Sequence, residues 1–365
     1  MRNSNINLKR TPERVELIKS MVDPNPDIAR ASQQAFAEFI RPAVQQVLNA
    51  KATSGAVYRD LEFSKNDRPT IPLDTFLGTK ENHVRIWSQS VAGGLPTNLI
   101  QGLGEYTFST YRLDSAVSFY EQYIKNANLP VLTAGIDRMI NEIVVKQERN
   151  AWGPLLAALA GNGQVYSSKV AGQFLLEDLN TLFTKIDRIY TSYVGGTPEG
   201  VTPQGLTDLF VSPEIIGQIR AFAYNPMNTR GGYLSNGTES GGAVPLPESV
   251  REQIYRGGGL VSIYDVSIHK LIELGKGQKY NTIFDNFYSG SPSFNGATQE
   301  IVIGFDLSRD VFLRPVITDD DYSNGQVVVQ ADDQFYKRSE KIGFFSRVVE
   351  GRAILDNRPI VGLIV

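Results

Sequence analysis

The sequence predicts a mixed α+β fold in which strands both precede and follow helices and β-hairpins close the chain. Apolar residues recur at helical spacing over residues 131–152 and 174–193, whereas short apolar runs of strand character lie between about residue 300 and the end. The regular alternation of strand and helix that marks a doubly wound sheet does not occur in this pattern.

The composition is that of an ordinary folded protein, and it excludes several classes of chemistry. The 365 residues are 41% hydrophobic and 21% charged, which is enough for a sizeable core. Because the chain has no cysteine, it has no disulfide, thiolate nucleophile or sulfur-ligated metal. The formal net charge is -3 without a long Lys/Arg block, so we expect any DNA contact to be non-specific. No stretch resembles a signal peptide or a membrane span, so we expect a cytoplasmic location.

Residues 1–55 predict an N-terminal arm of two helices. Thr11 and Asn25 each precede a proline and an acidic residue, which is the pattern of a helix start. The apolar residues of the second helix recur about one turn apart: Ile28, Ala31, Ala35 and Phe39. Pro42 should kink this helix or end it. Since two short amphipathic helices do not make a core, we expect another surface to cover them.

Residues 56–95 predict an extended loop that projects from the body of the protein. The stretch is polar, carries prolines at 69 and 72, and has its best strand at residues 83–87. A two-stranded excursion of this kind is not stable alone. Long connections usually make contacts or carry function, so we expect this one to reach a neighbour.

Residues 105–123 predict a strand that leads into a helix, and the longest helix follows at about residues 131–152. The apolar side of that helix has helical spacing: Leu132, Ile136, Met139 and Ile143. Arg138 and Glu142 lie one turn apart on its polar side, where they should pair. Gly153 and Pro154 should interrupt the helix.

Shorter elements are predicted over the rest of the chain. Helices are expected at residues 174–193, 212–222 and 247–256, with a loop at 225–245. Strand runs are expected at residues 206–211, 260–274, 300–306, 311–318 and in four stretches between 326 and 365. Turns are expected at residues 350–351 and 356–357.

A search for chemistry finds no catalytic constellation. The two histidines, His83 and His269, are distant in sequence, and each is interpreted as structural or solvated. Neither the nucleophile elbow G-x-S-x-G nor the phosphate loop G-x-x-x-x-G-K-[ST] occurs. The acidic clusters at 319–321 and 332–333 lack calcium-loop spacing and are interpreted as solvated turns. We therefore expect no catalytic residue, no cofactor site and no metal site.

Four stretches of the sequence resemble the tailed-bacteriophage major capsid family, whose fold encapsulin shells share. Residues 110–163 look like a peripheral-domain strand that feeds a long spine helix. Residues 206–222 are similar to the strand-helix unit of an axial domain. Residues 56–95 match the family's projecting loop, and residues 343–365 resemble its terminal hairpin and last strand. The likeness covers most of the chain in order.

The resemblance implies a phage capsid fold with a definite domain organisation. A peripheral domain would take residues 96–170 and 319–352, with the spine helix at about 131–152. An axial domain would take residues 171–318 and 353–365. The helical arm and the projecting loop would lap over neighbouring subunits.

The resemblance also implies a structural, non-enzymatic role in the virion. Copies would form hexamers and pentamers of an icosahedral shell, assembled in the host cytoplasm around double-stranded DNA. A scaffolding protein, a portal and a cement protein are the further partners implied, and no membrane is. Many relatives begin with a scaffolding segment that is cut off, whereas the recognisable arm starts almost at Met1 here. Scaffolding would then be a separate protein, already removed, or unnecessary.

Four residues are predicted inter-subunit contacts: Phe39, Arg85, Trp87 and Glu105. The prediction follows from the frequency of arginine and aromatic anchors at interfaces. Three other functions stay open from the residues: an encapsulin-type compartment with enzyme cargo, a soluble hydrolase acting through carboxylates, and another virion component such as a tail or neck protein. Particle contents, particle size and particle shape respectively distinguish them.

Overall fold

The computed structural model describes residues 11–51, 53–72, 105–126, 129–194, 205–224, 262–263, 266–308, 311–318, 327–332 and 340–365. Within them the protein is a mixed α+β protein, as the sequence predicts. The chain divides into two compact units, each discontinuous in sequence. The first comprises Met1–Ile71, Glu105–Ala151 and Phe312–Ala353, and the second comprises Pro72–Gly104, Trp152–Val311 and Ile354–Val365.

The described helices are Pro12–Ser20 (α1), Pro26–Lys51 (α2), Glu121–Lys125 (α3), Leu129–Asn162 (α4), Leu176–Val194 (α5), Pro213–Tyr224 (α6) and Lys279–Phe287 (α7), with a 3₁₀ turn at Ser54–Ala56. The described strands are Arg59–Ser64 (β1), Thr70–Pro72 (β2), Glu105–Thr107 (β3), Thr110–Tyr120 (β4), Val165–Ser167 (β5), Asp208–Val211 (β6), Ser262–Ile263 (β7), Val266–Lys270 (β8), Ile301–Phe305 (β9), Phe312–Thr318 (β10), Val327–Asp332 (β11), Lys341–Gly351 (β12), Ala353–Ile354 (β13) and Ile360–Ile364 (β14).

The sheet of the first unit is built around β12. All eleven residues of β12 pair antiparallel with β4, from Lys341 opposite Tyr120 to Gly351 opposite Thr110. The other edge of β12 pairs with β11 and, at Glu350, with β10. β1 adds to β10 in parallel, so the start of the predicted projecting loop is a strand of this sheet.

The N-terminal helices lie on the chain's own core. Together with α4 they bury one face of the sheet, and Arg41 Nε of α2 donates to the carbonyl of Val327 in β11 at 3.1 Å. The buried apolar face of α2 consists of Ala29, Phe36, Ala37, Ile40 and Val44. The predicted stripe is therefore wrong as a buried face, since its four members are all exposed: Ile28, Ala31, Ala35 and Phe39. Helical spacing alone is compatible with either face of α2 being buried. The face that packs on the sheet is the one that carries Phe36, Ile40 and Val44.

Two helices continue through a proline, so Pro42 does not end the first and the predicted interruption at Gly153 and Pro154 is wrong. α2 extends past Pro42, and α4 runs for 34 residues through Gly153 and Pro154. A proline in a helix interior costs about 3 kcal/mol. Full burial of the neighbouring Trp152 and Leu156 offsets that cost at about 25 cal/mol per Å² of apolar surface.

The second unit has its own six-stranded sheet, in the order β5-β14-β9-β6-β8-β7. β6 is parallel to β8 and antiparallel to β9, and β14 is antiparallel to β9. α5 and α6 pack on this sheet through Leu182, Ile186 and Ile215. α7 was not predicted, because its short apolar pattern contains only two large buried residues, Tyr280 and Phe284.

Candidate functional site

A groove lies between β4 and α4 in the first unit. It has a volume of about 630 Å³ and is lined on one side by residues 115–119. The facing side is one side of α4, with Val131, Ala134, Arg138 and Glu142 at helical spacing. All five consecutive residues of the strand line the groove, and the side chains nearest to α4 at Gly135 are those of Phe119 and Val117, which lie on the same face of β4.

The edge of β4 that faces away from β12 is unpaired within the part of the chain that the structure describes. β4 pairs with β12 along one side, and no described strand lies on its other side. Its side chains alternate: Arg112, Asp114, Ala116 and Ser118 are exposed, whereas Phe119 is buried. An open strand edge presents unsatisfied backbone donors and acceptors, which makes it a template for a further strand.

Two opposite charges flank the groove without pairing. Arg138 and Glu142 are exposed, and neither has a hydrogen bond or an ion pair among the described residues. The predicted pair between them is therefore wrong. An exposed pair of this spacing contributes only about 0.3–0.5 kcal/mol net of the cost of ordering two long side chains, so its absence costs little.

Gly135 holds α4 close to β4. A Cβ on Gly135 would lie 2.5 Å from the Phe119 ring and 3.4 Å from a methyl group of Val117. A Cβ at this position would force the Phe119 ring to move, because a contact of 2.5 Å is inside van der Waals distance.

The outer face of α2 is a second exposed apolar surface. Phe39 is 43% exposed and Ile28 is 46% exposed. The Arg14 guanidinium lies 4.8 Å from the centre of the Phe39 ring, so the predicted contact residue carries a cation on its face.

Two of the four predicted contact residues lie among the described residues. Phe39 lies on α2, and Glu105 is the exposed first residue of β3. Arg85 and Trp87 lie outside the described residues, as do His83 and residues 319–321.

Glu350 is the centre of a buried polar network that the sequence did not reveal. The sequence predicts a turn at residues 350–351, whereas Glu350 lies inside β12 and is fully buried. Its carboxylate accepts hydrogen bonds from four side chains. The donors are Arg314 Nε at 2.8 Å, Arg352 Nη2 at 3.3 Å, Gln147 Nε2 at 3.1 Å and Tyr111 Oη at 3.1 Å. Arg314 also reaches Asp60 at 3.3 Å, which ties β10 to β1.

This network changes the acidity of its neighbours. Burial, followed by the charge of Glu350, raises the pKa of Tyr111 to about 12. Burial also raises the pKa of Tyr58 well above its ordinary value, against the opposing charge of Arg352. Burial lowers the pKa of Arg314, but Glu350 and Asp60 raise it more, so the net direction is upward. The network therefore holds neutral phenols and charged arginines, which suits a structural role.

Three polar side chains in the second unit, a hydroxyl, a carboxylate and an imidazole, are hydrogen-bonded in an order that does not suit nucleophilic catalysis. Asp208 Oδ1 lies 2.7 Å from His269 Nε2, and Asp208 Oδ2 accepts from Thr207 Oγ1 at 2.7 Å. In nucleophilic catalysis the imidazole contacts the hydroxyl. Here the carboxylate lies between them, so His269 does not receive the Thr207 proton. The Phe210 ring stacks on His269 at 4.7 Å, which also supports the predicted structural role.

Asp306 is a fully buried carboxylate with one satisfied oxygen. Oδ1 accepts from the backbone and side chain of Ser308, and Oδ2 has no hydrogen-bond partner among the residues that the structure describes. Burial and the charge of Asp306 raise the pKa of Asp187.

Over the described ranges, no group of three or more His, Asp or Glu side chains has an arrangement that could hold a metal ion. None of the described helices is both long enough and apolar enough to cross a membrane.

No family model matches the chain, and no curated protein matches it. Several solved structures match the chain. The chain is similar to the capsid of cyanophage P-SCSP1u, with 11% identity, a TM-score of 0.49, and coverage of 84% of this chain and 86% of that one. The mature capsid of bacteriophage PhiM1 matches with 8% identity, a TM-score of 0.48 and 86% of each chain. The SrpI encapsulin complex of Synechococcus elongatus matches with 11% identity, a TM-score of 0.43, and 84% and 85% of the two chains. Structural neighbours of the chain are therefore phage capsid proteins and an encapsulin, the group that its sequence resembles.

Proposed function

We propose that the chain is a structural, non-enzymatic subunit that assembles with copies of itself into a closed protein shell. The observation that carries the proposal is the eleven-residue edge of β4, which no strand of the described residues pairs and which lies beside an open groove. A stable monomer usually shortens, charges or covers such an edge. Here the edge is eleven residues long, and its only charged residues, Arg112 and Asp114, lie outside the groove-lining residues 115–119.

The exposed outer face of α2 supports the same proposal. Ile28 and Phe39 leave apolar surface uncovered on a helix whose other face is buried. Contacts with neighbouring subunits would bury that surface. Heterologous contacts of this kind build rings and closed shells.

The finer proposal follows the resemblance of the sequence. Hexamers and pentamers would form an icosahedral phage capsid, assembled in the host cytoplasm around double-stranded DNA. The helical arm, the projecting loop, the peripheral domain and the axial domain keep the residue ranges given above. A scaffolding protein, a portal and a cement protein would be the other partners, and Phe39, Arg85, Trp87 and Glu105 would contact neighbouring copies.

Particle mass tests the proposal. The full chain is expressed and measured by light scattering and negative-stain microscopy, and we expect closed particles of megadalton mass. A stable monomer at high concentration, even with a scaffolding partner supplied, would contradict the proposal.

The contents of the particles separate the phage capsid from an encapsulin-type compartment. Nuclease-protected double-stranded DNA in particles purified from infected cells supports the capsid. A captured enzyme in place of DNA supports the compartment.

A further inference from the structure

We infer that the groove between β4 and α4 is a twofold interface, in which β4 pairs antiparallel with β4 of a second copy. The inference rests on the proposed function in one respect, because both require copies of the chain to meet. It adds the surface, the partner segment and the symmetry of the contact.

The strand edge supplies the first argument. Both copies present the same eleven-residue edge, and pairing edge to edge satisfies two sets of backbone donors and acceptors at once. Antiparallel pairing about a twofold axis at Val117 places Ala116 opposite Ser118 of the second copy. Both side chains are small and exposed, so the two strands approach to the ordinary spacing of about 4.8 Å.

Charge complementarity supplies the second argument. Arg138 and Glu142 lie on the groove side of α4 and are unpaired among the described residues. In an isologous interface, residue i of one copy contacts residue j of the other, and the reverse contact also forms. Two antiparallel α4 helices therefore bring Arg138 of each copy towards Glu142 of the other. The surface is complementary to itself.

The shape of α4 supplies the third argument. The groove side of the helix carries Ala134, which is exposed, and Gly135, which lies against Phe119. Small residues let two helices approach closely beneath a continuous sheet. The groove of about 630 Å³ would then be filled by the matching helix face of the second copy.

Charge reversal in separate copies tests the inference. We expect R138E alone and E142R alone each to weaken dimer association about tenfold, since like charges then meet across the axis. An equimolar mixture of the two variants should restore association, because one copy is then acidic and the other basic along the groove. Mass photometry or sedimentation of differently tagged copies measures the dimers. Restoration by mixing does not follow from an effect within one helix.

Cysteine cross-linking tests the register. The chain has no cysteine, so A116C and S118C each introduce a single thiol. A mixture of A116C and S118C copies should form the 116–118 disulfide faster than I272C copies form a disulfide with one another. Ile272 is an exposed control position in the second unit. Equal rates, or variants R138E and E142R that associate like the original chain, would overturn the inference.

The two proposals fail separately. Closed particles without the 116–118 cross-link overturn the twofold interface and leave the shell function standing. Cross-linked dimers that never form particles support the twofold interface and contradict the shell function. A cross-link from residue 116 to any segment other than β4 also overturns the inference.

Discussion

Glu350 determines how the polar interior of the first unit is held together. It accepts from two arginines, a glutamine and a tyrosine while being fully buried. A buried carboxylate is costly without partners, and so are the arginines without the carboxylate. The network is thus strongly coupled, and its loss should show as a loss of stability.

We expect Glu350→Gln to destabilise the first unit by about 3–5 kcal/mol, because Arg314 and Arg352 lose their shared counter-charge. Arg352 is 4% exposed, so water does not replace the lost partner. Urea unfolding monitored by circular dichroism measures the change. Asp114→Asn is the control, since the Arg112–Asp114 pair is nearly half exposed and should contribute under about 1 kcal/mol. Equal effects of the two substitutions would show that the buried network contributes no more than a surface pair.

Tyr111 should make the stability depend on alkaline pH. Its pKa rises from about 10 in the unfolded chain to about 12 in the fold. The folded state therefore keeps a proton that the unfolded state loses, so this contribution is complete below pH 10 and disappears as the pH rises through 12. Tyr111→Phe should be less stable at neutral pH, and the difference from the original chain should narrow between pH 10 and pH 12. A constant difference in urea midpoint over that range would contradict the assignment.

At the scale of elements, close backbone approach decides where strands end and cross. Gly351 closes β12 opposite Thr110 of β4. A Cβ there would lie 2.5 Å from the carbonyl oxygen of Ser109 and 2.9 Å from Pro315. The contact with Ser109 is with backbone, so the clash has no flexible side chain to relieve it.

We expect Gly351→Ala to cost about 1–3 kcal/mol through overpacking. Gly161→Ala is the matched control, because nothing lies within 4 Å of its Cβ position and it is helical. That control should be neutral or gain up to about 1 kcal/mol from the lower entropy of the unfolded chain. Thermal unfolding compares both variants. The explanation is wrong if Gly351→Ala is as well tolerated as Gly161→Ala.

At the scale of the whole molecule, the charge balance is consistent with the proposed shell, whose wall would contact DNA weakly. The formal net charge is -3, and the 36 basic residues are outnumbered by 39 acidic ones. A strongly basic inner wall would hold packaged DNA too tightly for release. Non-specific DNA affinity depends on the number of phosphates neutralised.

We expect the unassembled chain to bind double-stranded DNA weakly, with little change in affinity between about 50 and 200 mM salt. Fluorescence anisotropy with a labelled duplex of mixed sequence measures it. A basic DNA-binding domain serves as the positive control. Tight binding that falls steeply with salt would contradict the proposed weak contact.

The sequence by itself determined the fold class and most of the local elements. The strand and helix at 105–123, the helix α5 and the terminal strands lie close to their predicted positions, because their apolar periodicity and turn residues are local properties. The absence of cysteine and the separation of the histidines also needed no structure. The resemblance to capsid proteins came from the order of such elements.

Tertiary structure alone decided which faces are buried and which edges stay open. It buried Phe36 and exposed Phe39 on one helix, and it carried α4 through Pro154, because packing outweighs local preference by several kcal/mol. It placed Glu350 beside Arg314, which is 36 residues away in the sequence but lies on the neighbouring strand β10. Among the described residues it also left one edge of β4 without a strand partner and Arg138 without an ion pair to Glu142, since pairing and ion contacts depend on positions in space that sequence spacing does not specify.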